Sequence, residues 1–404
     1  MRSNQSIYLV IFIILLLVSK PSCAGQMTDD RSVKDRKQQV ENGLLLRYFI
    51  EGIEPELFSI TDRMREYNVP GLSIAVINNG EIEWTGTYGL MNNADPIPVT
   101  DKTMFQAASI SKPVAAIAAL MFVEEGVIDL DEDVNDYLKT WKVPVNRYNR
   151  NESVTLRRLL NHTSGLTVHG FPGYAVDDSL PSVPDILNGD YPSNTAKVFA
   201  DAEPGSMWRY SGGGYAVLQK LLADVSGKKF EALMDEYVLG KLNMTSSTYT
   251  QPLTDSYKSD ASSGHFENGE VVYGNWHRYP EQAAAGLWTT ASDLAKIAIE
   301  LQQTLKGRSE KLIKKKTAEE MLMRGLNNWG LGFSIGGSER DPFFSHGGAN
   351  QGFRAHFVAY AHSGRGVIIM TNSDNGGELI GEILRAVSDV YNWPDFKQRP
   401  IIID

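Results

Sequence analysis

The segments of this chain best suited to β-structure lie near its two ends, and that separation constrains the fold more than any other feature. Leu72–Ile77 and Ile82–Tyr88 are rich in branched and aromatic residues and are joined by Asn78-Asn79-Gly80, a tight-hairpin signal. Leu331–Ile335, Arg354–Tyr360 and Gly366–Thr371 read as three more strands, the last two joined through His362-Ser363-Gly364-Arg365. Between about residues 100 and 300 helical patterns and long loops dominate, including Pro113–Glu125 and Tyr215–Val225. Buried strand amides must find partners, so the two ends are expected to pair with each other. Leu57, Ile60 and Met64 recur at helical spacing before Pro70-Gly71, and Glu378–Tyr391 reads as a closing amphipathic helix. The expected fold class is therefore α+β: an antiparallel β-sheet flanked by N- and C-terminal helices, with a mainly helical insertion.

Domain boundaries follow from that arrangement. A sheet lobe is expected over about 55–100 and 300–404, and a helical lobe over about 101–299. At 404 residues the chain exceeds the size at which one core usually stops growing, so a cleft between lobes is expected. Residues 25–54 read as a polar leader, loosely ordered from Gln26 to about Glu41.

The first 24 residues read as an export signal. Arg2 gives a positive start, Ile7–Val18 is an unbroken apolar run of 12, and Ser22-Cys23-Ala24 offers small residues for cleavage after Ala24. Twelve apolar residues fall short of the ~20 that a spanning helix requires, so no stable membrane span is expected after cleavage. A periplasmic or secreted location follows. Lys20, three positions before Cys23, argues against lipidation of that cysteine. Cys23 is the only cysteine, so the mature chain is expected to have no internal disulfide. Losing Arg2 and Lys20 takes the net charge from −10 to −12, which disfavours nucleic acid and anionic membranes as partners. The basic cluster Lys311–Lys316 reads as a solvated helix face. No feature sets the number of subunits.

Three separated motifs carry chemistry. Ser109-Ile110-Ser111-Lys112 is an S-x-x-K sequence ahead of an apolar helix, and residues three apart share a helix face. A serine hydroxyl needs a neighbouring base, and lysine serves only when neutral, at a cost of ~4.6 kcal/mol from its usual pKa. A helix N-terminus and burial both reduce that cost. Ser226-Gly227-Lys228-Lys229 repeats the pattern, but Gly227 reads as a helix C-cap, making that copy a decoy. Glu203–Gly212 contains Tyr210-Ser211-Gly212, a turn leading into a helix. Phe344–Ala349 contains His346-Gly347-Gly348 at the expected edge of a strand, where glycines permit close approach of a ligand to backbone. Alone, Ser109 would read as a helix cap, Tyr210 as a packed aromatic and His346 as a loop histidine.

Taken in order, S-x-x-K, Y-S-G and H-G-G resemble the three signatures of the class C β-lactamase and penicillin-binding protein family. Leu159-Leu160-Asn161-His162-Thr163-Ser164-Gly165-Leu166, Gly286–Leu294 and Gly330–Phe333 resemble further family segments, so the likeness runs from about Pro55 to Asn372. The resemblance implies a β-lactamase/transpeptidase-like fold and a cofactor-free serine hydrolase acting on a small-molecule or peptide substrate. It makes Ser109 the acylated nucleophile, Lys112 its activating base and Tyr210 a proton carrier. His346 would sit beside Tyr210 and the substrate, the amides of Ser109 and Ala349 would form the oxyanion hole, and Gly347, Gly348 and Arg354 would contact substrate.

Two residues depart from the family pattern. Gly212 stands where many members have an asparagine that contacts substrate or lysine. His346 replaces a fixed lysine cation with a group that is largely neutral at pH 7, which weakens recognition of a carboxylate such as that of penicillin. Arg354 is the candidate to replace the lost charge. The expected activity is hydrolysis of an ester or amide, including a D-amino-acid peptide, ahead of a β-lactam. A catalytically silent sensor or scaffold for cell-wall fragments is the alternative. Seven histidines raise a metallohydrolase as a third class, but they form no H-E-x-x-H or comparable ligand array, so no metal is expected.

Overall fold

The computed structural model describes residues 23–401. The expected export signal, apart from its last two positions, lies outside the described residues. Both ends of the chain meet in one sheet. After helix α1 (Cys23–Glu41), strand β1 (Tyr48–Ile50) and helix α2 (Ile60–Glu66), the chain enters a hairpin of β2 (Gly71–Asn78) and β3 (Glu81–Asn92). Asn79 and Gly80 at its tip have φ of 54° and 79°, the positive values a type I′ turn requires. Short strands β4 (Ile97–Pro98) and β5 (Phe105–Gln106) follow, then helix α3 (Ser111–Glu124). The helical region includes α4 (Gly212–Ser226) and ends with β6 (Trp288–Thr289) and α5 (Ala291–Leu305). The chain returns through β7 (Ser334–Gly337), β8 (Pro342–Asn350), β9 (Phe353–Tyr360), β10 (Gly366–Thr371), α6 (Gly376–Val390) and β11 (Arg399–Ile401).

The main sheet has seven strands in the order β4-β3-β2-β10-β9-β8-β7, all pairs antiparallel, so β2 from the first end lies against β10 from the last. Side chains alternate between two cores as the pleat demands. Leu72, Ile74, Val76, Val358, Val367 and Ile369 pack with Ile60, Met64, Leu379 and Ile383 of the terminal helices. Ala75, Ile77, Phe357, Ile368 and Met370 face the other way, toward Ile117, Leu218, Leu294 and Leu301 of the helical region. Both faces are covered, which is why every residue of β10 is buried.

Helix α3 is the centre of the helical region. Residues Ser111–Phe122 are all buried, so the helix is apolar on every side rather than amphipathic. Among the described residues no helix is long and apolar enough to cross a bilayer.

Three expectations need correction. The polar leader is helical rather than loosely ordered: α1 places Val40 in the terminal-helix core, and β1 pairs in parallel with β11, tying the two chain ends together. Tertiary contacts supply what the polar sequence lacks. The strand read at Leu331–Ile335 begins only at Ser334, because Gly332, at φ 104°, turns the chain over the first turn of α3, its α-carbon side close against Ala116 and Pro113. Finally, Pro342–Asn350 is a full strand, where the sequence showed only an edge, because two glycines interrupt its apolar pattern.

Candidate active site

Ser109 stands in a tight 3-10 turn, Ala108–Ile110, directly ahead of α3. The turn starts from a left-handed backbone at Ala108, φ 50°, a region that residues with a β-carbon seldom adopt. One turn later Lys112 Nζ donates to Ser109 Oγ at 3.1 Å and to the Ala284 carbonyl at 2.7 Å. Lys112 is 2% exposed and has no ion-pair partner among the described residues. Burial therefore pushes its pKa down from the ordinary 10.5 to about 7, which makes a neutral amine accessible near physiological pH. The repeat at Ser226–Lys229 does not share this setting. Gly227 is a left-handed C-cap of α4 and Lys228 pairs with Glu236 on the surface.

Tyr210 arrives on the loop before α4, with its ring centroid 5.0 Å from Lys112 Nζ and 6.2 Å from the His346 ring. Burial pushes its phenol pKa up, while the neighbouring Ser109 hydroxyl, as a hydrogen-bond partner, acts in the opposite direction. Side chains that the sequence did not single out surround the ring: His162 at 4.2 Å, His169 at 5.1 Å and Trp329 at 5.9 Å, with Trp208 tilted by 47° against Trp329 at 5.4 Å. His162 lay inside a segment already recognised as family-like. Trp208 lies in the Glu203–Gly212 stretch and Trp329 just before Gly330–Phe333, but neither carries a signal of its own and only the fold brings them together here.

The third wall is β8. Strand β7 pairs only with Pro342–Ser345, so residues 346–350 form a bare edge beside the Ser109 turn. Gly348 has no room for a side chain, since a β-carbon would stand 2.3 Å from the Ala107 carbonyl oxygen. Gly347 has open space and Ala349 is exposed on the same edge. His346 is 4% exposed, and its Nδ1 lies 2.7 Å from the Gly347 carbonyl. A carbonyl only accepts, so Nδ1 carries the proton and Nε2 is left as an acceptor. Burial, reinforced by the Lys112 charge, lowers the His346 pKa to about 3, so the ring is neutral at pH 7.

Arg354 also reaches the cleft, but its Nη1 is bound to Asp374 Oδ1 at 2.9 Å and to the Asn350 and Phe353 carbonyls at 2.8 Å each. Its charge is thereby shared with an internal carboxylate. Gly212 has a steric reason: a β-carbon there would stand 3.0 Å from both the His169 carbonyl oxygen and Phe171 Cε2. The 169–171 loop occupies the space an asparagine side chain would enter.

These walls enclose a cavity of about 640 Å³ lined by Ser109, Lys112, Tyr210, Trp329, His346 and Ala349, among others. A second chamber of about 610 Å³ shares Phe171, Ala349, Asn350 and Arg354 with it and continues to Tyr279, Glu267 and Asp374. The arrangement joins an amine near its neutralisation point, a hydroxyl, a phenol and exposed strand backbone in one cleft. Among the described residues no group of three or more His, Cys, Asp or Glu side chains gathers as a metal site.

The Beta-lactamase family model matches residues 59–390. Penicillin-binding protein 4 of Amycolatopsis lactamdurans is 24% identical over 362 residues, covering 83% of this chain and 91% of that protein. The octameric penicillin-binding protein homologue from Pyrococcus abyssi superimposes with a TM-score of 0.69 at 24% identity, over 84% of this chain and 76% of that one. D-alanine carboxypeptidase AmpC from Burkholderia cenocepacia gives 0.65 at 19% identity, over 88% of this chain and 99% of that one. These likenesses establish the β-lactamase/transpeptidase fold expected from the sequence. The family match spans every element that carries Ser109, Lys112, Tyr210 and His346, and the chain belongs to the Beta-lactamase family.

Proposed function

We propose that this protein is a serine acyl hydrolase that forms an acyl-enzyme on Ser109. Membership of the Beta-lactamase family supports a serine hydrolase in general terms. The observation that carries the finer reading is the 3.1 Å contact between Ser109 Oγ and Lys112 Nζ, an amine whose pKa burial brings to about 7. Neutral Lys112 takes the Ser109 proton as Oγ attacks the carbonyl carbon. The amides of Ser109 and Ala349 receive the oxyanion, a role in which one lost donor costs about 100- to 1,000-fold in rate. Tyr210 gives its proton to the departing alcohol or amine and is reprotonated by Lys112. Water then attacks the acyl carbon, losing a proton through the same groups, and the carboxylic acid leaves Ser109 free.

The substrate we infer is an ester or amide, including a D-amino-acid peptide, with no carboxylate beside the scissile bond. Neutral His346 and the Arg354–Asp374 pair support that preference over β-lactams. The second chamber suits an acyl group that extends past Ala349. We place the reaction outside the cytoplasm on the strength of the leader read over residues 1–24.

The test is a fluorophosphonate probe with wild type and Ser109→Ala, followed by nitrophenyl esters, D-alanyl peptides and a chromogenic cephalosporin. Labelling should depend on Ser109 and esters should turn over. Equal labelling of both proteins would overturn the nucleophile, and a cephalosporin cleaved far faster than any ester would overturn the substrate preference.

A further inference from the structure

We propose that His162 is a positioning residue that holds the Tyr210 phenol at the Ser109 hydroxyl by gripping the chain on both sides of it. The proposal rests on the acyl-transfer function above. The Arg209 amide, just before the tyrosine, donates to the His162 carbonyl at 2.8 Å. The Ser211 amide, just after it, donates to His162 Nδ1 at 3.2 Å. Between those two bonds the imidazole lies over the phenol ring, centroids 4.2 Å apart and tilted by 35°. One residue thus fixes the backbone before and after Tyr210 and one face of its ring.

The clamp explains two otherwise unmotivated features of His162. Its backbone is left-handed, φ 61°, a conformation in which histidine is found more often than most residues with a β-carbon. That conformation lets a main-chain and a side-chain acceptor of the same residue meet one tripeptide. Histidine is also held in one state. The Ser211 amide can only donate, so Nδ1 must be bare and the proton must sit on Nε2, which is buried with no partner among the described residues. Burial, together with the charge of Lys112, keeps the imidazole well below its ordinary pKa, so the acceptor is preserved while Lys112 titrates.

The need for such a clamp follows from the chemistry. A proton carrier must reach its partner within ~2.6–3.2 Å. Tyr210 sits on a loop rather than within a helix or strand. A displacement of ~1 Å at such a site can cost ~100-fold in rate.

Two variants separate the parts of the clamp. His162→Asn keeps an acceptor oxygen where Nδ1 stands and tolerates the left-handed backbone, but removes the ring. His162→Phe keeps a ring and removes the acceptor. Each is made in wild type and in Tyr210→Phe, and kcat, KM, Ser109 labelling and thermal midpoint are measured on a nitrophenyl ester. We expect His162→Phe to lower kcat about 30- to 100-fold with KM changed less than about threefold, and His162→Asn to recover part of that loss. In the Tyr210→Phe background, His162→Phe should lower kcat by less than about threefold, because no phenol remains to be placed. Unchanged kcat in a folded His162→Phe, or the same fold-loss in both backgrounds, would overturn the proposal while leaving Ser109 chemistry intact. Should His162→Phe not fold, the His162→Asn pair is read by the same criterion. Absence of Ser109 labelling in wild type would instead overturn the acyl-transfer function and the clamp with it.

Discussion

Gly348 on β8 meets Ala107, at the foot of the Ser109 turn, so closely that an added β-carbon would stand 2.3 Å from the Ala107 carbonyl oxygen. The neighbour is backbone and cannot rotate aside. Gly348→Ala therefore has to separate the strand from the turn, moving Ala349 away from Ser109. We expect a destabilisation of ~1–3 kcal/mol, as for other overpacked sites, and a loss of kcat/KM of ~100-fold or more. Denaturant unfolding and ester kinetics on the folded variant check both; wild-type kinetics would show that the contact does not set the site.

Lys112 should impose a pH dependence of defined sign. With Lys112 as the proposed base the neutral amine is the active form, so kcat/KM should rise ~tenfold per pH unit below about 7 and level off above it. A pH profile on a non-ionising ester reads this directly, and a flat profile between pH 5 and 8 would contradict the role. Stability should move in the same direction. The folded pKa of about 7 lies below the unfolded ~10.4, so between those values the unfolded chain binds the extra proton and stability rises with pH. Relative to Lys112→Met, wild type should gain up to ~1.4 kcal/mol per pH unit from pH 7.5 to 9.5, measured by urea unfolding.

Gly212→Asn would restore the residue that many relatives carry, yet it should not improve activity. The new β-carbon meets the His169 carbonyl and Phe171 at 3.0 Å, and Gly212 N–H already donates to that same carbonyl. The 169–171 loop, which lines the cleft, must shift. We expect kcat/KM to fall ~10-fold, with stability lower by ~1–2 kcal/mol. A rise in activity toward any ester or cephalosporin would show that the position is open to the family asparagine after all.

Much of the architecture was legible before any coordinate. The hairpin was marked by Asn79-Gly80, whose positive φ values are a local property of those residues. The decoy Ser226–Lys229 was separable from Ser109 because Gly227 announces a helix end. Local chemistry did not reveal the order of α1, whose polar sequence acquires its helix by packing, nor the strand identity of residues 342–350, where glycines hide the alternation. It equally missed Trp208, Trp329 and His169, because an isolated aromatic or imidazole has no pattern until its neighbours are known.

The sequence by itself singled out Ser109, Lys112, Tyr210 and the strand-edge glycines as candidates, together with the pairing of the chain's two ends, because each depends on residue type at short spacing or on backbone preference. Tertiary structure alone decided that Lys112 is buried beside the Ala284 carbonyl, that His346 is neutral, that Arg354 is engaged by Asp374 and that Gly212 has no free space. Those are matters of desolvation and packing between segments far apart in the chain, where the free energy belongs to the neighbours rather than to the residue.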